Sequence, residues 1–524
     1  MTRHSESIDL FAIAHQTMIE EGFEPDFPAP VATEVRSMVA ESATITSSTG
    51  DEDLRDLLWS SIDDKKTRDL DQVEYAEITS GGDTRLLVGI ADVDAFVSQG
   101  SVTDKHAGTN CTSVYTGVKT FPMLPEELST DLTSLMENED RLAVVTELIL
   151  AADGSVKKTN FYRALLKNHA KLSYEAVGAW LDGKTGVPES VSNVPGMEAQ
   201  IKLQSEIAER FEKYRKEHGA LNLETIQAKP EVDEQGRVVG LAVVESNSAR
   251  ELIANFMISA NVAMAEFLEA KGGPSLRRIV RTPKYWDRIV EIADEVGEKL
   301  PANPDSRALS DFLSRRKVAD PVHFPDLSLA VVKSLGPGEY AVQLPGEEGE
   351  GHFGLAVQDY THSTAPNRRF ADLVTQRLVK AALANDHDTT RTPTAPKSTP
   401  DGPPSRVSTS GAPTSAPGST SMPYDVGQLK QIAEHCTIQD SAARKVERKM
   451  RKVAAALLLH DKIGEEFNAI VTGVTPKGTF ARVINPPVDG RVVRGEHKLR
   501  VGEKVRVRLL STDPERGFID FARL

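Results

Sequence analysis

The chain has 524 residues, 39% of them hydrophobic and 27% charged, with a formal net charge of −15. That length predicts two to four domains, and the composition is that of an ordinary globular protein. Two distant cysteines (Cys111, Cys436), no zinc-ligand spacing, no signal-like N-terminus and a longest aliphatic run of only Ala454 to Leu459 argue against a disulfide scaffold, a zinc site and a membrane span. The expectation is a reduced, cytoplasmic protein. Taken whole, the negative charge argues against a nucleic-acid partner. The average hides a gradient: Asp440 to Leu524 holds 18 Lys and Arg against 11 Asp and Glu, a balance of +7 that leaves −22 for the remainder.

Residues 1–50 predict a small helical domain. Ile8, Leu10, Phe11, Ile13, Met18 and Ile19 recur at helical spacing, and Gly22 is a natural stop. Prolines 25, 28 and 30 interrupt the pattern before a second helix over Val31 to Val39, which makes a helix-turn-helix one option.

Residues 51–385 alternate strand-like and helix-like stretches and predict a large α+β body with a mixed sheet surrounded by helices. Arg85 to Val93 and Leu142 to Leu150 read as buried strands, and Glu251 to Ala270 as a strong helix. Residues 386–424 are rich in Pro, Ser and Thr and hold almost no large apolar side chains, so they predict a flexible insertion that cannot offset its ordering entropy. The body resumes over 425–464 with a helix dense in Arg and Lys. Its apolar positions Ala442, Val446, Met450, Val453 and Leu457 suit packing onto the body, and a monomer is expected.

Residues 465–524 alternate apolar and polar with frequent turns, which predicts a small five-stranded β-barrel. The barrel is basic and carries Phe467, Phe480, Phe518 and Phe521. Basic grooves with aromatic platforms suit single-stranded nucleic acid. Most of these rings are expected in the core, with Phe480 as the exposed platform because it follows the turn at Pro476, Lys477 and Gly478; Arg482 lies on the same strand.

One acidic cluster stands out. Asp63, Asp69 and Asp71 lie in SIDDKKTRDLDQVEY. Phosphodiester hydrolysis needs an activated water and a stabilised leaving oxygen, which paired divalent ions supply. Magnesium favours carboxylate oxygens, and residues two apart on an extended segment share a face. With 77 acids in 524 residues the spacing alone is weak evidence.

Neighbouring segments strengthen it. SIDDKKTRDLDQ, LLVGIADVDAFVSQGSVTDKHA, PMLPEELSTDLTSL, ELIANFMISAN and HFGLAVQDYTHSTAPNRRFADLVTQR stand in order along the chain. Together they resemble the catalytic domain of the ribonuclease II family. The last 60 residues resemble the RNA-binding OB domain named after the largest small-subunit ribosomal protein. The resemblance implies processive 3′→5′ hydrolysis of single-stranded RNA with a free 3′ end to nucleoside 5′-monophosphates, with Mg2+ or Mn2+ as cofactor. It implies that Asp63, Asp69 and Asp71 bind metal or orient water, that Arg368 contacts the scissile phosphate, that Tyr115 packs on the terminal nucleotide, and that Glu447 lies near the last nucleotides. No obligate protein partner is evident.

This chain departs from the family pattern in four ways. Gln72 replaces a fourth aspartate, a weaker ligand for a hard cation, with Asp64 and Glu74 as candidate compensating carboxylates. Asn255 stands where a helix glutamate is common. No aromatic appears near Pro274 to face Tyr115 across a base. Fifty helical residues cannot supply the tandem cold-shock-like barrels, so a more open channel entrance is expected. His352 and His362 invite a general-base role, but structural roles are favoured; Thr361 and Ser363 to Pro366 shape the loop that carries Arg368. A catalytically impaired RNA-binding protein is the alternative reading.

Overall fold

The apolar run of Thr84–Ala91 is buried almost throughout and forms a central strand. It pairs antiparallel with Gln72–Ile78 on one side and Asp140–Leu150 on the other. Trp59–Asp63, the 18-residue strand Val156–Ser173 and the two-residue strand Glu52–Asp53 complete a six-stranded mixed sheet. Val156–Ser173 runs parallel to Trp59–Asp63 and antiparallel to Asp140–Leu150, so the sheet curls back on itself. Gly89 lies where layers meet: a Cβ there would stand 2.8 Å from the Leu166 side chain and 3.2 Å from Val73. The computed structural model describes residues 8–41, 51–224, 227–233, 238–244, 246–321, 323–389, 422–476 and 478–524. The expected insertion lies mostly outside the described residues, and so does Lys477.

Helices cover this sheet, giving the α+β architecture. Ser248–Ala270 begins at Asn247, whose side chain accepts from Arg250 N–H, and buries Leu252, Ile253, Phe256, Ala260, Ala263, Met264 and Leu268 along one stripe. By length and composition this helix alone among the described residues is long and apolar enough to cross a membrane, yet 56% of its apolar window is buried inside the body. The 33-residue helix Val426–Leu458 starts with a capping box in which Asp425 and Gln428 satisfy each other's backbone N–H groups.

The N-terminal helices, Leu10–Glu20 and Ala29–Glu41, have no core of their own. Leu10, Ala14 and Met18 pack with Val114, Phe121, Ala442, Val446, Met450 and Val453, whereas Val31 and Val35 join the main core. They are thus two separate braces on the body rather than a self-contained helix-turn-helix. Pro30 sits in the first turn of the second helix, where a missing N–H costs little, so it does not break the pattern as expected.

Residues 466–523 close into a five-stranded barrel in the order Glu466–Thr475, Gly478–Val483, Val488–Arg494, Phe518–Arg523, Lys504–Asp513. Val505, Val507 and Leu509 point inward while Lys504, Arg506 and Arg508 point out. Ala456 and Leu459, at the end of the long helix, plug into the barrel core beside Val471, Val492 and Phe521.

Candidate active site

The acidic segment connects two adjacent inner strands at one end of the sheet. Asp63 ends its strand, Gln72 begins the next, and Asp69 and Asp71 lie on the connection between them. A cavity of about 600 Å3 is lined there by Asp63, Asp64, Asp69, Gln72, Tyr115, Tyr174, Arg250, Arg368, Glu447 and Arg451, among others.

Arg368 arrives from the distant loop 361–369, which is held firmly. Thr361 Oγ1 donates to Leu276 O at 2.8 Å, and Ser363 N and Oγ both donate to Asn261 Oδ1 at 2.8 Å. Arg368 O accepts from Ser113 N at 3.0 Å. Asn367 N donates to Asp71 Oδ1 at 3.2 Å, and the Asn367 side chain is bonded to Thr133 in both directions. Arg368 Nε then donates to Asp71 Oδ2 at 2.9 Å. The Arg368 side chain stays 41% exposed while that of Asp71 is 3% exposed. Burial pushes Asp71 up to about 7, with Arg368 opposing the shift and Asp69 adding to it. The guanidinium remains charged, held by Asp71 against its own desolvation.

Tyr115 is 42% exposed at the cavity wall. Its hydroxyl donates to Asp69 Oδ2 at 3.3 Å, and its backbone N–H donates to Glu447 Oε1 at 3.3 Å. The structure therefore brings Asp63, Asp69, Asp71, Gln72, Tyr115, Arg368 and Glu447 to one place from segments spread over nearly the whole chain. Sequence reasoning missed Tyr174, Arg250 and Arg451. Arg250 lies over the Tyr174 ring at 4.3 Å and pairs with Asp64 at 2.5 Å. Tyr174 is the second aromatic in the cavity, supplied by a helix start capped by Ser173 rather than by the region of Pro274. No spacing rule pointed to it, because its partners are remote in sequence.

Other residues singled out in the sequence lie outside the cavity. Asn255 is buried and accepts from Arg215, so it does not face the cavity. His352 and His362 are also outside it: His352 Nδ1 accepts from Leu355 N at 3.1 Å and His362 Nδ1 bonds to Tyr340 Oη at 2.8 Å. On the barrel Phe480 is half-buried, Phe518 is the exposed ring at 58%, and Phe521 is core. Arg482 is paired with Asp489 at 3.0 Å.

For a metal, the donor set is all oxygen, which fits a hard divalent cation. Among the described residues no three Asp, Glu, His or Cys side chains stand grouped to hold an ion as placed; Asp71 is turned to Arg368 and Asp69 to Tyr115. Glu74 adds a second indication of fit. It is fully buried, both carboxyl oxygens lack a hydrogen-bond partner, and burial together with nearby Asp63 holds it well above the usual carboxylate range.

A mixed sheet ending in an acidic cavity, with an arginine loop opposite and a basic OB-type barrel on the connecting helix, defines a nuclease-type fold. The chain belongs to the RNB domain family, whose model matches residues 51–385, and residues 465–524 match the RNase II-type exonuclease C-terminal S1 domain. It is 29% identical over 500 residues to ribonuclease R of Escherichia coli strain K12, covering 90% of this chain and 57% of that relative. The chain thus spans little more than half the length of that relative. The solved structure of Mycoplasma genitalium RNase R in complex with ribose methylated single-stranded RNA matches with TM-score 0.80 at 21% identity, over 99% of this chain and 78% of the other. Yeast Ssd1, described as a pseudonuclease, matches with TM-score 0.62 at 16% identity, over 90% of this chain and 56% of the other.

Proposed function

We propose that the chain is a 3′→5′ exoribonuclease that hydrolyses single-stranded RNA from a free 3′ end, processively, releasing nucleoside 5′-monophosphates. It acts as a cytoplasmic monomer with Mg2+, or Mn2+ in its place. One observation carries this reading. Buried Asp71 holds Arg368 by Nε at 2.9 Å, and the guanidinium stays open to the cavity that Asp63, Asp69 and Gln72 line.

When bound at these oxygens, a divalent cation supplies an activated water and neutralises phosphate charge. The chain's own groups do the rest. Arg368, fixed at Nε, keeps its outer N–H groups for the phosphate and is already oriented where negative charge grows. Tyr115 offers a ring face to the terminal base, and Glu447 fixes the backbone behind it. Cleavage of the P–O3′ bond leaves the phosphate on the 5′ oxygen of the released nucleotide. The basic barrel gathers the upstream strand by phosphate contacts and ring stacking. The relationship to ribonuclease R of E. coli supports this activity.

A second reading has its own support: Gln72 in place of an acid, and the likeness to a pseudonuclease, favour an RNA-binding protein without cleavage. Asp71→Asn decides between them, assayed for cleavage and binding of 5′-labelled oligoadenylate. The expected result is that the wild type degrades the ladder to short 5′ fragments while Asp71→Asn binds without cutting. Binding without cleavage by the wild type itself establishes the second reading.

A further inference from the structure

Each carboxylate that lines the cavity, and Asp71 beside Arg368, has a donor. Asp63 accepts from Asp64 N and Thr67 Oγ1, Asp64 from Arg250, Asp69 from Tyr115, and Asp71 from Arg368 and Asn367. Glu447 accepts from Tyr115 N. Glu74 has none. It is 0% exposed, and neither of its oxygens is hydrogen-bonded. A buried polar group left without a partner is destabilising and calls for a physical reason.

Its position supplies one. Gln72 and Glu74 are two apart on one strand, so their side chains leave the same face. Gln72 lines the cavity. Across the sheet Glu74 is register partner of Ser60, on the strand that ends at Asp63. Asp63 and Glu74 are electrostatic neighbours, and both act on the Tyr174 hydroxyl at the cavity wall. Of the two acids that could stand in for residue 72, Asp64 is committed to Arg250 at 2.5 Å.

We propose that Glu74 is a further ligand of the divalent-cation site, supplying from behind Gln72 the carboxylate that position 72 lacks and sharing an ion with Asp63. This rests on the nuclease reading above. A carboxylate is a stronger ligand than an amide carbonyl for a hard cation, so the burial of an otherwise partnerless acid is retained for the ion it meets.

The test counts bound Mn2+ by electron paramagnetic resonance on the full chain without RNA, so it does not depend on cleavage. Glu74→Gln should lose one bound ion or bind it at least about tenfold more weakly, and Gln72→Asp combined with Glu74→Gln should restore it. Glu74→Leu should melt no lower than wild type in EDTA, yet lose the rise in melting temperature that Mn2+ gives the wild type. Mn2+ stoichiometry and affinity unchanged in both Glu74 variants overturn the proposal and leave the nuclease reading standing. A wild type that binds no Mn2+ and cuts no RNA overturns both.

Discussion

Arg368 has two tasks that compete for its nitrogen atoms: Nε is bound to Asp71, and the outer nitrogens face the cavity. A lysine carries its three N–H donors on a single nitrogen and lacks the planar fork that lets a guanidinium hold Asp71 on one side and reach the cavity on the other. Arg368→Lys is therefore expected to lower the single-turnover cleavage rate by about 10²–10³-fold, the range for removing one charge-stabilising donor. The dissociation constant for oligoadenylate should move far less, because the remaining RNA-binding groups are untouched. Equal losses in rate and binding would mean that Arg368 only anchors RNA. At this scale the sequence was partly legible. Asp63, Asp69, Asp71 and Arg368 could be placed only because several motifs appeared in order. Tyr174, Arg250 and Arg451 could not, since each enters the cavity through tertiary packing that leaves no local pattern. Asn255, singled out only through the resemblance, is held in the core by Arg215 and does not line the cavity.

At the level of elements, the segment 352–369 depends on neutral imidazoles. His352 caps the short turn Phe353–Leu355 through Nδ1, which must be unprotonated to accept from Leu355 N. Burial, and then the nearby Arg278 charge, lower His352 to about 4 from an ordinary value of 6.5. The folded chain therefore takes up this proton only near pH 4, while the unfolded chain takes it near pH 6.5. Stability is full above pH 6.5 and falls as pH drops toward 4. His362, also held well below its ordinary value by burial, acts in the same direction. His352→Asn keeps a side-chain acceptor and removes the titration. Its denaturation midpoint is expected to vary less between pH 6.5 and 4.5 than that of the wild type, as read by urea melts across that range. The elements themselves were the most legible part of the sequence. Thr84–Ala91, Asp140–Leu150 and Ser248–Ala270 differ from expectation by a few residues at their ends, as periodic segments do. The curled sheet was not legible, because strand order is set by pairing between segments about a hundred residues apart.

For the whole molecule, the acidic body and the basic barrel are joined by one helix whose last residues enter the barrel core. With negative charge in excess over the body and positive charge at the C-terminal end, RNA binding under the proposed function should be strongly salt-dependent. Arg491 and Arg494 are both exposed on the strand Val488–Arg494. Replacing both with alanine should flatten the plot of log binding constant against log salt concentration by about 0.7 for each phosphate that is no longer neutralised. An unchanged slope would place the RNA elsewhere. The barrel was legible from its alternation and charge, but its ring exposures were not: Phe518, near the end of the chain, projects, while Phe480 is half-covered.

The cavity takes Asp63 from an early segment and Glu447 and Arg451 from a late one, with Arg368 between them. Its last walls therefore leave the ribosome only after Arg451 has been added. A nascent polypeptide shorter than about Arg451 has no finished cavity, whatever message is being translated. The spread of these residues along the chain delays closure of the cavity until the long helix Val426–Leu458 has been made.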